Sequence, residues 1–383
     1  MFNRVPLAWL QLTHQKLRLL AAIAGIAFAV VLMLFQLGLL DALFTASSVV
    51  QSRLQGDLIL VSKQYQYMIL SKNFTNRRLY QALAFDGVES VWPVYLGLAQ
   101  WKNPEDLKER SILTIGYDPL GGALSVPEAR DPRQLIFPDA VLFDAGSRSE
   151  FGPIPQMLRD KGPVEVEVNG RKIKVVGLFR MGTSFGIDGT LITSDLNFLK
   201  IFPSHPQELI EIGLIRLKHG ADIVGVQAAL EKGLPPDIQV LTQAAFVQQE
   251  KDYWATNTGV GYIFTLGVFI GFVVGAVIVY QILYTDVNDH LAEFATLKAL
   301  GYRDLYLSSV VLRQSLILSL FGFVPGVGIA AILYSLTQKA TLLPIILNPW
   351  RVVLVLALTI GMCSGSALLA MKKLRQADPA EIF

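Results

Sequence analysis

The chain has 383 residues, of which 52% are hydrophobic and 17% charged, and a mean hydropathy of +0.45. This composition is too apolar for an ordinary soluble enzyme and too charged for membrane helices alone. The net charge of +2, without a basic tract that includes aromatic residues, argues against a nucleic-acid-binding protein. We therefore expect membrane helices joined to a water-exposed domain.

Candidate metal and redox chemistry is sparse. The single cysteine, Cys363, excludes an intramolecular disulfide, and the four histidines lack the spacing of metal ligands. The chain has no G-x-x-x-x-G-K-[S/T] segment, so it cannot bind nucleotide phosphates by that device. We expect a non-catalytic protein with no metal and no cofactor of its own.

The first apolar segment follows a basic N-terminus. Residues 1–18 contain bases and no acid, and residues 19–40 are uncharged. A signal peptide also begins with basic residues, but its apolar core has about 7–15 residues. We favour an uncleaved first transmembrane helix with a cytoplasmic N-terminus.

The long hydrophilic block that follows has the pattern of a folded α/β domain. Val164 to Val175 alternates with period two across Asn169-Gly170, which predicts a β-hairpin. Further strands are predicted at 57–62, 111–117 and 211–218, and helices at 74–85, 195–201 and 222–231. The Pro- and Gly-rich stretch 118–138 suggests a boundary between two lobes.

The second apolar segment is unusually long. Residues 253–285 carry no charge, and as one helix they would extend roughly 50 Å, against a hydrocarbon core of about 30 Å. We expect this helix to protrude as a stalk that continues the polar helix 244–254. Helix packing through small residues is predicted at two sets of glycines with four-residue spacing. These are Gly267, Gly271 and Gly275, and Gly322 and Gly326.

Between the second and third apolar segments lies a short amphipathic helix. Leu291, Phe294, Leu297 and Leu300 recur at helical spacing, and Gly301 is a predicted stop. Such a helix could lie on the bilayer surface without a partner, or dock into a partner's groove. No Asp, Glu or His lies near the middle of the predicted spans, so we expect the energy for any transport to come from another protein.

The segment Glu293-Phe-Ala-Thr-Leu-Lys298-Ala-Leu-Gly301 resembles the E-I-x-x-L-K-A-L-G-A segment of the FtsX/MacB permeases, with Phe294 for the usual isoleucine. The tail 377–383 resembles their D-P-A-E ending. Length and layout are most similar to the DevC-type exporter permease. The implied fold is an α+β membrane protein, with four transmembrane helices and a large extracytoplasmic α/β domain, porter-like with an inserted lobe, between TM1 and TM2. The expected divisions are 1–18 cytoplasmic segment, 19–44 TM1, 45–250 periplasmic domain (inserted lobe about 139–205), 251–285 TM2 with stalk, 286–304 cytoplasmic coupling-helix loop, 305–338 TM3, 339–350 periplasmic loop, 351–371 TM4 and 372–383 cytoplasmic tail.

The resemblance implies a function and partners. It implies the permease subunit of an ATP-driven ABC exporter in the bacterial inner membrane, with both termini cytoplasmic, that exports a lipid-like or amphipathic substrate such as a glycolipid by mechanotransmission. The implied partners are a separate ABC ATPase that binds the ATP, a periplasmic adaptor (membrane fusion) protein with an outer-membrane channel in a tripartite efflux assembly, a second permease copy in a homodimer, and membrane lipid. The residues it assigns to ATPase coupling are Asp289, Glu293, Phe294, Leu297, Lys298, Leu300, Gly301 and Arg303.

Three alternatives remain open. The chain could be an FtsX-like signal transducer or a LolC-like lipoprotein extractor. It could also be a membrane-anchored periplasmic binding or scaffold protein without an ATPase. Finally, Gly182-Thr-Ser184-Phe-Gly186 matches the G-x-S-x-G nucleophile elbow, followed by Asp195 and His205 in hydrolase order. That motif requires a helix after the serine, whereas residues 187–193 predict a loop and a strand, so we favour a glycine-containing loop between strands.

Overall fold

The computed structural model describes residues 16–126, 132–184, 186–302 and 304–376. These residues form two units. The helix bundle contains residues 16–42, 260–340 and 345–376, and the sheet domain contains residues 43–259 and 341–344. The Asp-Pro-Ala-Glu tail and part of the predicted boundary 118–138 lie outside the described residues.

Helices and strands are numbered in chain order. The helices are α1 Lys16–Ser47, α2 Val49–Arg53, α3 Asn76–Gln81, α4 Ile154–Lys161, α5 Asp195–Ile201, α6 Ile223–Gly233, α7 Gln243–Thr256, α8 Val260–Asp289, α9 Leu291–Ala299, α10 Asp304–Thr341 and α11 Pro349–Gln376. The strands are β1 Leu58–Ser62, β2 Phe74–Thr75, β3 Val88–Lys102, β4 Glu109–Tyr117, β5 Ala140–Asp144, β6 Val164–Val168, β7 Arg171–Phe179, β8 Thr190–Ser194, β9 Leu209–Ile210, β10 Ile212–Leu217 and β11 Ile238–Thr242.

Four helices in the described part of the chain, α1, α8, α10 and α11, are long and apolar enough to cross a membrane. The 30 residues of α8 correspond to a length of about 45 Å, which exceeds the hydrocarbon thickness of about 30 Å. Helix α10 continues through Pro325 without interruption. The large sheet domain follows α1 and precedes α8 in sequence, which confirms the expected α+β membrane class.

The predicted uninterrupted stalk is wrong at one point. Helix α7 ends at Thr256 and α8 begins at Val260. Asn257 caps α7 through a hydrogen bond from its backbone N–H to the Tyr253 carbonyl. Gly259 has a φ of +68°, a left-handed conformation that glycine adopts without steric cost and that ends a right-handed helix. The absence of charge between 253 and 285 therefore did not imply one helix.

The glycines of the bundle lie where helices approach closely. A Cβ atom built on Gly275 would lie 2.7 Å from both Ala29 Cβ and Met362 Sδ, so α8 contacts α1 and α11 at this point. A Cβ atom at each of the other four glycines would also contact α1. The nearest side chains are Gln36 for Gly267 at 2.6 Å, Leu32 for Gly271 at 3.2 Å, Ile26 for Gly322 at 2.5 Å and Val30 for Gly326 at 2.8 Å.

The sheet domain is built on a nine-stranded sheet in the order β11-β1-β10-β3-β4-β8-β5-β7-β6. An additional pairing of Trp101 and Lys102 in β3 with Val168 and Glu167 in β6 closes the last six strands into a ring. Each of these six strands contributes a side chain to one apolar cluster that includes Trp101, Phe143 and Phe151. The proposed insertion 139–205 therefore shares its sheet and its core with β3 and β4.

Local predictions in the sheet domain are mostly confirmed. Strands β6 and β7 pair from Val164↔Val175 to Val168↔Arg171, and Asn169 and Gly170 both have positive φ, as a type I′ hairpin turn requires. Residues 74–85, predicted as a single helix, instead form β2, α3 and a short 3-10 turn at Ala82–Ala84. The Thr75 hydroxyl accepts a hydrogen bond from the Arg77 N–H, so this threonine caps α3 and the helix cannot begin earlier.

Candidate functional site

The predicted amphipathic helix is present as α9, between the membrane-length helices α8 and α10. It ends at Ala299, and the predicted stop, Gly301, follows with a φ of +91°. The Tyr302 N–H donates to the Leu297 carbonyl, five positions earlier, at 3.1 Å; this is the 6→1 hydrogen bond of a Schellman C-cap. The cap gives the loop after α9 a defined direction.

The two sides of this loop have different environments. Leu291 and Leu297 pack against the apolar core of the chain's own bundle. Glu293 is exposed, Leu300 is 71% exposed and Tyr302 is 46% exposed. Leu297, which we expected to fill a partner's groove, therefore supports the position of α9, and among the described apolar side chains of this segment Leu300 points outward.

Three of the predicted coupling residues are only partly described, or not at all. Phe294 and Lys298 lie within α9, but their side chains are not among the described ones. Arg303 lies outside the described residues. The roles of these residues in ATPase coupling remain predictions.

A polar cluster at the α9 end of the bundle joins three helices. Arg18 Nη1 in α1 lies 2.8 Å from Asp289 Oδ2 in α8. Gln314 Nε2 in α10 donates to Asp286 Oδ2 at 3.3 Å, and Asp286 is 7% exposed. His290 Nδ1 donates to the Asp286 carbonyl at 2.9 Å, immediately before α9 begins. Asp289, predicted to contact an ATPase, is thus already paired within the chain.

A second polar cluster lies at the opposite end of the bundle. Arg351 Nη2 in α11 forms an ion pair and hydrogen bond with Asp41 Oδ2 in α1. The Tyr334 hydroxyl in α10 donates to the Leu34 carbonyl in α1. Sequence reasoning missed both clusters, because their partners lie up to 310 residues apart and no local pattern relates them.

The sheet domain contains a buried carboxylate close to the end of α7. Glu250 is 1% exposed, and its oxygens accept hydrogen bonds from Tyr65 Oη at 2.9 Å, the Met68 N–H at 3.1 Å and Trp254 Nε1 at 3.1 Å. Burial raises the pKa of Glu250 to about 6, although each of these donors opposes the change by favouring the ionised form. Gln51 in α2 lies 3.5 Å from the same Tyr65 hydroxyl, so the network also reaches the helix that follows α1.

The hydrolase hypothesis has no support in the local structure. Residues 181–184 and 186–189 form an irregular loop between β7 and β8, as predicted, and no helix follows Ser184 there. His205 Nε2 contacts Glu211 Oε1 at 3.0 Å, and this partner raises the pKa of His205. Gly186 and Asp188 line an open pocket of about 390 Å³, and Ser184 is not among the residues that line it. No group of three or more potential metal ligands occurs among the described residues.

The architecture defines a class of protein. It is a multi-pass membrane protein whose described residues contain four membrane-length apolar helices, with a large sheet domain between the first and second and a short helix between the second and third. Residues 265–379 match the family described as FtsX-like permease C-terminal. The matched region contains α9 and most of the bundle that follows α1, and it confirms the resemblance to the FtsX/MacB permeases. This is a family of ABC-transporter permease components. No curated protein matches the chain.

Two solved structures show weaker similarity. The periplasmic region of MacB from Actinobacillus actinomycetemcomitans has a TM-score of 0.38 and 10% identity, over 52% of this chain and 94% of that one. The extracellular domain of the noncanonic ABC-type transporter YknZ from Gram-positive bacteria has a TM-score of 0.34 and 16% identity, over 48% of this chain and 99% of that one. At these scores the likenesses are too weak to support a conclusion about this chain.

Proposed function

We propose that this chain is the permease subunit of an ATP-driven exporter and that a separate ABC ATPase binds it at α9. The observation that carries the proposal is the arrangement of α9 within an FtsX-like region. The helix is fixed to its own bundle by Leu291 and Leu297, and it leaves Leu300 and Tyr302 exposed beside a capped turn. An exposed leucine on a supported helix is suited to a partner's apolar groove.

In this proposal both termini, α9 and the bound ATPase lie in the cytoplasm, and the sheet domain lies outside the inner membrane. The basic residues before the first apolar segment and after the fourth support that orientation. The substrate would be lipid-like or amphipathic, and the assembly would contain two permease copies and a periplasmic adaptor. These finer assignments are supported by the resemblance to the DevC-type and MacB-type permeases.

In the mechanical part of the proposal, the two helices α7 and α8 transmit the motion in place of one continuous helix. Movement of α9 would reach α8 through His290, the residue that connects the two helices and whose Nδ1 donates to the Asp286 carbonyl. The Arg18–Asp289 pair and the Gln314–Asp286 hydrogen bond attach that end of α8 to α1 and α10. The motion would pass residues 257–259 and reach α7, which the Glu250 network attaches firmly to the sheet domain. The break then acts as a joint, and the sheet domain moves as one body.

The experiment is reconstitution of the full-length protein with each candidate ABC ATPase from the same genome, followed by a measurement of ATPase binding. Leu300→Asp places a charge at the proposed contact and should weaken binding by about tenfold or more, roughly 1.4 kcal/mol. Leu297→Asp should have an additional effect. It should lower the resistance of the bundle to sodium dodecyl sulfate, because the Leu297 side chain packs against the bundle core.

Val224→Asp is the matched control, since Val224 is 74% exposed on α6 in the sheet domain. It should leave both binding and bundle stability unchanged. If Leu300→Asp binds the ATPase with wild-type affinity, α9 is not the docking site. If the wild-type protein binds no ATPase, the exporter proposal itself fails and the binding or scaffold alternative gains support.

A further inference from the structure

The loop from Lys63 to Lys72 follows β1, and its Tyr67 forms an aromatic cluster with two residues at the end of α7. The ring of Tyr67 stacks on that of Tyr253, with centroids 4.3 Å apart. Trp254 lies edge-on to both rings, at 5.6 Å from Tyr67 and 5.9 Å from Tyr253. All three residues are partly exposed, so the cluster forms part of the surface of the sheet domain.

Glu250 holds this loop in place. Its carboxylate accepts one hydrogen bond from the Met68 backbone and one from the Tyr65 hydroxyl, both in the loop, and another from the Trp254 indole in α7. The Leu70 N–H donates to the Tyr67 carbonyl at 3.1 Å and closes a 3-10 turn at Met68–Leu70. These hydrogen bonds therefore fix the loop to α7.

The chain connection places the cluster close to a membrane surface. Trp254 precedes the first residue of α8, Val260, by six positions, so the two Cα atoms are at most roughly 20 Å apart. Tyr262 on α8 is 69% exposed, and Tyr284 lies 22 residues further, about 33 Å along the helix. Tyr and Trp concentrate at the two membrane interfaces, and this spacing fits a hydrocarbon core of about 30 Å. Trp350, at the start of α11, is also exposed.

The loop has the charge that an anionic headgroup requires. Lys63 and Lys72 are exposed, the segment between them contains no acid, and neither lysine forms an ion pair with any described residue. Together with Leu70, which is 54% exposed, they line an open pocket of about 430 Å³. Its lining residues are Lys63, Gln64, Tyr65, Gln66, Leu70 and Lys72.

We propose that the loop 63–72 rests on the lipid headgroups at the sheet-domain side of the membrane, with the phosphate of an anionic phospholipid bound between Lys63 and Lys72. Leu70 enters the boundary between headgroups and acyl chains, and the rings of Tyr67, Tyr253 and Trp254 lie at headgroup level. Gln64 and Gln66 supply amide donors for the remaining headgroup oxygens. This interaction does not depend on an ATPase or on export.

The first experiment measures the depth of Leu70 in the bilayer. The full-length protein with Cys363→Ala and Leu70→Cys is labelled with a nitrobenzoxadiazole fluorophore and reconstituted in vesicles of phosphatidylcholine and phosphatidylglycerol. Lipids with a nitroxide near the headgroup should quench this label strongly. The matched control, Val224→Cys, places the label at a residue of similar exposure on α6 and should be quenched weakly. Equal quenching at the two positions would overturn the proposal.

The second experiment tests the headgroup charge with nitroxide-labelled phosphatidylglycerol and phosphatidylcholine as the two probes. Two lysines near an anionic surface should give about a thirtyfold preference for the anionic lipid, about 2 kcal/mol. Lys63→Gln with Lys72→Gln should remove that preference, whereas Lys161→Gln with Lys232→Gln, two exposed lysines elsewhere in the domain, should keep it. If both lipids quench the label at position 70 equally when Lys63 and Lys72 are present, the pocket does not recognise an anionic headgroup. If a water-soluble nitroxide quenches the label and neither nitroxide-labelled lipid does, the loop faces solvent or another partner and the proposal is wrong.

Discussion

The helix bundle and the sheet domain hold their charged groups in different ways. In the bundle, one ion pair lies at each end, Arg18–Asp289 at one and Asp41–Arg351 at the other. Close packing between the helices relies on glycines such as Gly275. In the sheet domain, buried carboxylates accept backbone N–H groups. Asp144, which is fully buried, accepts from Gly146, Met181 and Gly182, and Glu211 accepts from Leu96.

The reason for the difference is the surrounding solvent. A membrane helix satisfies its backbone internally and gains close contact through small residues, since lipid offers little hydrophobic driving force for association. A water-exposed domain with a single cysteine elsewhere in the chain must rely on core burial, and its irregular loops need acceptors for their backbone N–H groups. The two regions should therefore fail under different denaturants, which gives three tests in the full-length protein.

The largest expected effect is at Glu250. Glu250→Ala leaves the Met68 N–H, the Tyr65 hydroxyl and the Trp254 indole N–H without their acceptor, at a cost of about 4 kcal/mol for the three groups together. In detergent, urea unfolding followed by tryptophan fluorescence should show the loss in the sheet domain. The sodium dodecyl sulfate transition of the bundle should stay at its wild-type position. A simultaneous shift of both transitions would contradict the separation of the two regions.

The next effect is at Gly275. Gly275→Val places methyl groups where a Cβ atom alone would be 2.7 Å from Ala29 and Met362, so the bundle must open at a cost of about 2 to 3 kcal/mol. Here the sodium dodecyl sulfate transition should shift and the urea transition should not. Gly361→Val on α11 is the matched control, because a Cβ atom there would meet no described atom within 4 Å. Equal loss in the two variants would show that helix propensity, and not packing, decides the result.

The smallest effect is the pH dependence of the sheet domain. The pKa of Glu250 is raised from 4.5 to about 6 in the folded state, so between these values the folded state binds more protons than the unfolded state. The resulting stabilisation is complete below about pH 4.5 and is lost as the pH rises through about 6. The loss should be about 2 kcal/mol by urea unfolding. Glu250→Gln cannot titrate and should remove this slope, and a slope that survives in Glu250→Gln would have to arise from another group.

Local sequence patterns predicted much of the architecture. The four apolar segments, the hairpin across Asn169-Gly170 and the stop at Gly301 all depend on residues close together in the chain. The break between α7 and α8 escaped prediction because hydropathy does not distinguish one helix from two, and a single Gly259 in an apolar segment is a weak signal. Similarly, the helical period of α9 predicted its apolar face, but it did not predict which leucine would be covered by the bundle.

The sequence by itself determined the class of protein, the four apolar segments and the short helix between the second and third of them, because hydropathy, helical period and a local motif are properties of neighbouring residues. Only the tertiary structure decided that Leu297 faces inward while Leu300 faces outward, that Asp289 pairs with Arg18, and that Glu250 holds the loop at Met68 against α7. These contacts join residues separated by up to 271 positions, and their energies depend on burial and distance that exist only after the chain has folded.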